Sequence, residues 1–179
     1  MIGGALIALL SSPGRVMAKE KTPKDPFVLL LNGPYQPVAP GTGPDLGLSD
    51  AGVDLNDGSY STTQIFPVHV EGIPCDANEN TAVGKFYTQF AGDLAVYQLP
   101  GGAIAMRFIP NCGVLTPSSD GLGGFFLNGT LELTILEATG IFRSFKHGHN
   151  HMVDRLHQLA DGSFDEYCFC FISRHGERE

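Results

Sequence analysis

The sequence predicts an all-β domain built as an eight-stranded antiparallel up-and-down β-barrel, and three observations predict it. First, 23 Gly and 12 Pro in 179 residues punctuate the chain too often for long helices. Second, no segment keeps a helical hydrophobic period, whereas alternating or short apolar runs are frequent. Third, eight such runs recur at fairly regular spacing, as they do in barrels and sandwiches. A barrel removes its sheet edges by closing, and eight strands enclose room for side chains or one small ligand. A β-sandwich is the alternative. A formal charge of −8 argues against a nucleic-acid partner, because phosphate binding needs a basic face. No apolar run reaches the ~18 residues of a membrane span.

The chain begins with a segment that reads as a removable export signal over residues 1–18. Ile2 to Leu10 is apolar, Ser11-Ser12-Pro13-Gly14 follows, and Val16-Met17-Ala18 fits a cleavage site. The expected location is therefore secreted or exported, and cytoplasmic only if this segment is not a leader. Residues 19–179 are then one domain. Phe27 to Asn32 is a buried strand. Gly33 to Ser61 is a long Pro/Gly/Asp/Ser-rich loop, of a length usually reserved for lids and functional loops. Thr62–Glu71, Val83–Phe90, Asp93–Leu99 and Ala103–Ile109 are strands, the last two joined as a hairpin by Pro100-Gly101-Gly102. Pro110 to Gly123 reads as a second loop and Gly124 to Leu136 as the longest strand. Ile141 to Lys146 forms a helical turn. His147–Leu159 and Phe164–Ser173 close the chain as a hairpin about Asp161-Gly162, both of which tolerate positive φ.

Four cysteines add little chemistry. Cys75 and Cys112 lie in loop-like stretches and are placed to bridge if the protein is exported. Cys168 and Cys170 share one face of a strand and read as buried thiols. There is no CxxC pair of the structural-zinc kind.

The segment Gly124-Phe-Phe-Leu-Asn-Gly-Thr-Leu-Glu-Leu-Thr-Ile-Leu-Glu-Ala-Thr-Gly-Ile-Phe-Arg143 joins a Gly-Thr-Leu strand to a Thr-Gly turn and an aromatic–basic step. It resembles the allene oxide cyclase and dirigent barrels, and Gly102-Ala-Ile-Ala-Met-Arg-Phe108 resembles their preceding strand. The resemblance covers residues 102–146. It implies an eight-stranded barrel, often a trimer, that steers cyclisation or coupling of unsaturated small molecules. Related bacterial barrels catalyse four-plus-two cyclisations in natural-product biosynthesis. The matching positions are structural, so the resemblance assigns no catalytic residue.

The densest polar constellation is His147-Gly-His149-Asn-His151-Met-Val-Asp154-Arg155-Leu-His157. On a strand, His147, His149 and His151 share a face. Three imidazoles at this spacing would hold a divalent metal only if the strand bends, because alternate residues lie roughly 6.5–7 Å apart. The other reading is a polar stripe with no metal and no cofactor.

A two-residue Asp161-Gly162 turn would set Asp154 opposite Phe169, Met152 opposite Phe171 and Arg155 opposite Cys168. One face of the hairpin would carry Met152, Leu156, Tyr167, Phe169 and Phe171 around Asp154. The other would carry His151, Arg155, His157, Glu166 and both cysteines. A carboxyl among aromatics loses hydration, which raises its pKa and suits it to acid–base work. The expected catalytic set is Asp154, Arg107, Tyr167 and His151. Met152, Leu156, Phe169, Phe171, Tyr87 and Glu132 are expected to line the substrate. The expected ligand is a small, largely apolar, unsaturated molecule, and the expected activity is a cyclase or isomerase (or lyase). A metal-dependent enzyme and a lipocalin-like carrier are the alternatives. A homo-oligomer, dimer or trimer, is implied by the barrel relatives.

Overall fold

The computed structural model describes residues 22–68, 81–89 and 91–176. The export signal and Cys75, with its suggested bridge to Cys112, lie outside these residues. Eight strands follow one another around a closed barrel: β1 (Phe27–Pro37), β2 (Ser61–Pro67), β3 (Gly84–Gln89), β4 (Leu94–Leu99), β5 (Gly102–Ser119), β6 (Phe125–Ala138), β7 (His149–Gln158) and β8 (Phe164–Ser173). Every neighbouring pair is antiparallel, and β8 returns to β1. The order is that of an up-and-down barrel, and closure excludes the sandwich. No helix among the described residues is long and apolar enough to cross a membrane.

Alternation along each strand sorts side chains between interior and exterior. Leu29, Leu31, Ile65, Phe86, Tyr97, Ile104, Met106, Leu133, Ile135 and Met152 fill the middle and are sealed from solvent. Cys168, Cys170 and Ile172 complete that layer from β8. Inside it, Asn150 Nδ2 donates to the Tyr97 hydroxyl at 2.8 Å.

One end of the barrel is closed by apolar side chains. The Gly140–Phe145 3-10 turn drops Phe142 and Phe145 onto Phe27, with ring centroids 6.0 and 5.1 Å apart. Gly140 makes the sharp entry at φ 59°, and a Cβ there would lie 1.7 Å from the Gly101 carbonyl oxygen. Only glycine fits both constraints.

The opposite end is looser. There Tyr35, Phe108, Leu127 and Leu131 are half-buried.

Two predicted loops take other forms. Residues 38–60 wrap over the outer face of β3–β5, where Val38, Leu48, Leu55 and Tyr60 bury Tyr87, Val96, Ala103 and Ala105. The stretch after Ile109 is not a loop. β5 pairs with β6 at Phe108, bulges over the next four residues, and resumes at Gly113 to run to Ser119. Pro110 and Pro117 are tolerated because β4 pairs with β5 only as far as Arg107, so this stretch is an edge with no ladder to interrupt on that side.

The last hairpin is shifted by one residue from the sequence reading. Leu159 N–H donates to the Ser163 carbonyl at 2.9 Å, so Ala160, Asp161 and Gly162 form a three-residue loop with Gly162 at φ 87°. The pairing is therefore Asp154 with Cys168 and Met152 with Cys170, not Asp154 with Phe169 or Met152 with Phe171. A one-residue slip moves every β8 side chain to the other face. Glu166, Cys168 and Cys170 point inward with Asp154, whereas Tyr167, Phe169 and Phe171 point outward.

A buried carboxyl pair as the candidate functional site

The inward residues at the looser end of the barrel build an acidic cluster. Asp154 comes from β7, and Glu166 and Cys168 from β8, whose register sets Cys168 beside Asp154 and Glu166 beside Leu156. One donor atom of each of the three lies within 4.8 Å of those of the other two, and all three residues are buried. Among the described residues no other set of three His, Cys, Asp or Glu converges in this way.

Tyr35 reaches the cluster from β1. The β1–β2 register breaks between Asn32 and Gln36, while Gly33 pairs with Glu166 on the other side. Gly33 adopts φ 112°, and this bulge turns the Tyr35 ring inward against Phe86, at a centroid distance of 6.4 Å. The ring is half-exposed, but its hydroxyl is enclosed and donates to the Glu166 carboxyl. Thr88, from β3, stands beside that hydroxyl.

Two buried carboxyl oxygens here have no hydrogen-bond partner among the described residues: Asp154 Oδ1 and Glu166 Oε2. Buried polar atoms are nearly always satisfied, so two orphaned oxygens on neighbouring carboxyls make this cluster the candidate site. The electrostatics agree. Burial pushes Asp154 up to about 6, against a smaller opposing pull from the Arg155 backbone N–H. Burial also pushes Glu166 well above the carboxylate range, and the Asp154 charge adds to it, while the Tyr35 bond opposes. Tyr35 is itself held protonated, first by burial and then by the Glu166 charge. Among the described residues no cation acts on either carboxyl. Burial thus raises both acids, Asp154 to about 6 and Glu166 in the same direction, with the Asp154 charge adding to the rise of Glu166. Two carboxyls with raised proton affinity then stand side by side.

Of the residues expected to work together, the structure gathers Asp154, Met152 and Leu156 inside. Met152 is packed in the core and Leu156 stands beside the pair. The others are elsewhere, for reasons of strand parity. Arg107 is exposed on the outer face of β5. Tyr87 also faces outward, beneath the wrapping segment, with its hydroxyl on Gln98 Oε1 at 3.1 Å. Tyr167 and Phe171 are about 45% and 42% exposed, and Phe169 stacks on Tyr167 at 5.6 Å on the same outer side.

His151 and Glu132 meet each other, Nδ1 to Oε1 at 2.6 Å, in an external cleft of about 500 Å³ with Cys112, His149 and Phe171. The His147, His149 and His151 imidazoles do not converge as a metal set. His147 sits exposed in the turn before β7 at φ 66°, and the other two project from the outer face.

Sequence reasoning missed Glu166, Tyr35 and Thr88. Tyr35 lay in a stretch read as loop, and Glu166 was set on the hairpin face opposite Asp154, with His157. The usable signal was β8 itself. Glu166, Cys168, Cys170 and Ile172 alternate with three aromatics, and thiols are among the most buried side chains. No protein-family profile, curated protein or solved structure matches this chain.

Proposed function

We propose that this protein is an acid–base isomerase or cyclase acting on a small, largely apolar, unsaturated molecule. The observation that carries the reading is the Asp154–Glu166 pair: two buried carboxyls that share a site, lack a cation and leave an oxygen each unpartnered. Ionised Asp154 takes a proton from the substrate, and neutral Glu166 returns one to another atom. Tyr35 holds the Glu166 carboxyl in place. Positioned proton transfer of this kind contributes about 10²–10⁴-fold to rate. Holding the reacting ends of a flexible polyene together would add an orientation effect. The resemblance of residues 102–146 to the allene oxide cyclase and dirigent barrels supports the same class of chemistry.

The substrate would lie at the looser end, against Phe108, Leu127 and Leu131, because the middle of the barrel is filled by its own side chains. That filling also favours this reading over a carrier with a deep central cavity.

The test is a panel of polyenes, epoxides and cyclic enones incubated with the full chain and followed by mass spectrometry and chiral chromatography. Conversion should rise as pH passes through about 6 and fall about 100-fold or more in Asp154→Asn. Conversion that survives in Asp154→Asn with the fold intact would reject the assignment.

A further inference from the structure

The carboxyl pair raises the question of what supplies its missing positive charge. We propose that the ligand of this site is a protonated amine carried on a largely apolar body, its N–H groups donating to Asp154 and Glu166. This rests on the reading of the pair as the working site and names the class of molecule that it takes.

The argument is one of matching donors to acceptors. Asp154 and Glu166 are 8% and 3% exposed, and each leaves one oxygen without a donor. Carboxyl oxygens of the pair approach within 4.8 Å. One tetrahedral nitrogen making two N–H···O bonds of about 2.8 Å spans about 4.6 Å between its acceptors.

Among the described residues, the groups facing Asp154 are Glu166 and Cys168 on β8, Tyr35 on β1 and Gly129 on β6, and none is cationic. A carboxylate ligand would meet like charge. A neutral alcohol would satisfy one oxygen and leave ionised Asp154 uncompensated. A metal ion would need the Cys168 thiolate, yet that thiol donates to the Phe169 carbonyl at 3.6 Å and lies 3.6 Å from Cys170 Sγ. The half-buried Phe108, Leu127 and Leu131 offer apolar surface beside the charge.

The experiment titrates the full chain with hexylamine, hexanol and hexanoate at pH 7.5, following side-chain carboxyl ¹³C resonances. Zn²⁺ alone forms a fourth arm. Hexylamine should shift the Asp154 and Glu166 resonances and bind at least tenfold more tightly than hexanol, and hexanoate should leave them unmoved. Asp154→Asn, and separately Glu166→Gln, should abolish the preference for amine over alcohol, with the backbone amide spectrum reporting an intact fold. Lowering the pH to 5 should weaken hexylamine binding in the natural chain. Equal binding of hexanol overturns the inference, as does an absence of amine-induced shifts. Binding of Zn²⁺ to the pair without any amine effect overturns it too, in favour of an inorganic cation site. The acid–base reading is scored separately, by conversion in the polyene and epoxide panel and its loss in Asp154→Asn, so either can fail alone.

Discussion

At the scale of single residues, Asp154 carries a stability penalty when it is ionised. Its ordinary value is 3.8 and its folded value is about 6, raised by burial. A raised carboxyl binds its proton more tightly in the folded chain than in the unfolded one. Its contribution to stability is therefore complete below about pH 3.8 and is lost as pH rises through about 6. Two units correspond to about 3 kcal/mol, an order-of-magnitude figure for a residue this enclosed. Asp154→Asn removes the ionised form and keeps the shape. Urea unfolding at pH 8 should show the variant more stable than the natural chain by up to about 3 kcal/mol, the difference shrinking toward zero near pH 4. A variant less stable at pH 8 would mean that Asp154 is structural glue with partners of its own. Glu166 is raised for the same first reason, so its penalty has the same sign and extends to higher pH. A fold that keeps two such residues is less stable than it need be, as working sites often are.

At the scale of the element, the β7–β8 hairpin decides which residues meet. The three-residue loop needs Gly162 at φ 87°, and Asp161 Oδ1 braces it by accepting from Ser163 N–H at 2.9 Å. Gly162→Ala should cost about 1 kcal/mol in denaturant unfolding through the strained φ, since no atom lies within 4 Å of the added methyl. It should leave the Asp154 titration in place, because the register is fixed by two buried faces as well as by the turn.

This hairpin also shows what the sequence makes legible. Its two strands and the Asp-Gly turn follow from alternation and turn chemistry, whereas which face points inward does not. The loop length does not, because Asp-Gly suits a two-residue turn and a three-residue turn with a bulge alike. One residue of slip then exchanged Tyr167, Phe169 and Phe171 for Glu166, Cys168 and Cys170. Tyr35 was hidden for a different reason. Gly33 and Pro34 read as the start of a loop, whereas they form a bulge within β1 that re-aims the next side chain. The strand after Pro110 was hidden because proline is harmless on an edge, and edge position is a property of the sheet that local sequence does not carry.

At the scale of the whole molecule, the barrel is polarised end to end. Phe27, Phe142 and Phe145 close one end, a sealed apolar layer fills the middle, and Tyr35, Thr88, Asp154 and Glu166 stand at the other. The packed core and the candidate site thereby lie in different layers, so substitutions in the two should act independently. Phe142 is fully buried and stacks on Phe27, and its truncation leaves a cavity that the turn, tied by Gly140 against the Gly101 backbone, is poorly placed to collapse into. Phe142→Ala should therefore cost about 3–5 kcal/mol in denaturant unfolding. In whatever fraction remains folded, the Asp154 carboxyl should still titrate near 6, because Phe142 contributes nothing to the burial or charge around it. The double variant Phe142→Ala with Asp154→Asn should then be destabilised by the sum of the single effects at pH 8, the second partly offsetting the first. A coupling beyond the ~0.5 kcal/mol typical of distant sites, or a moved Asp154 titration, would show that the two ends communicate through the core and that the layers are not separate.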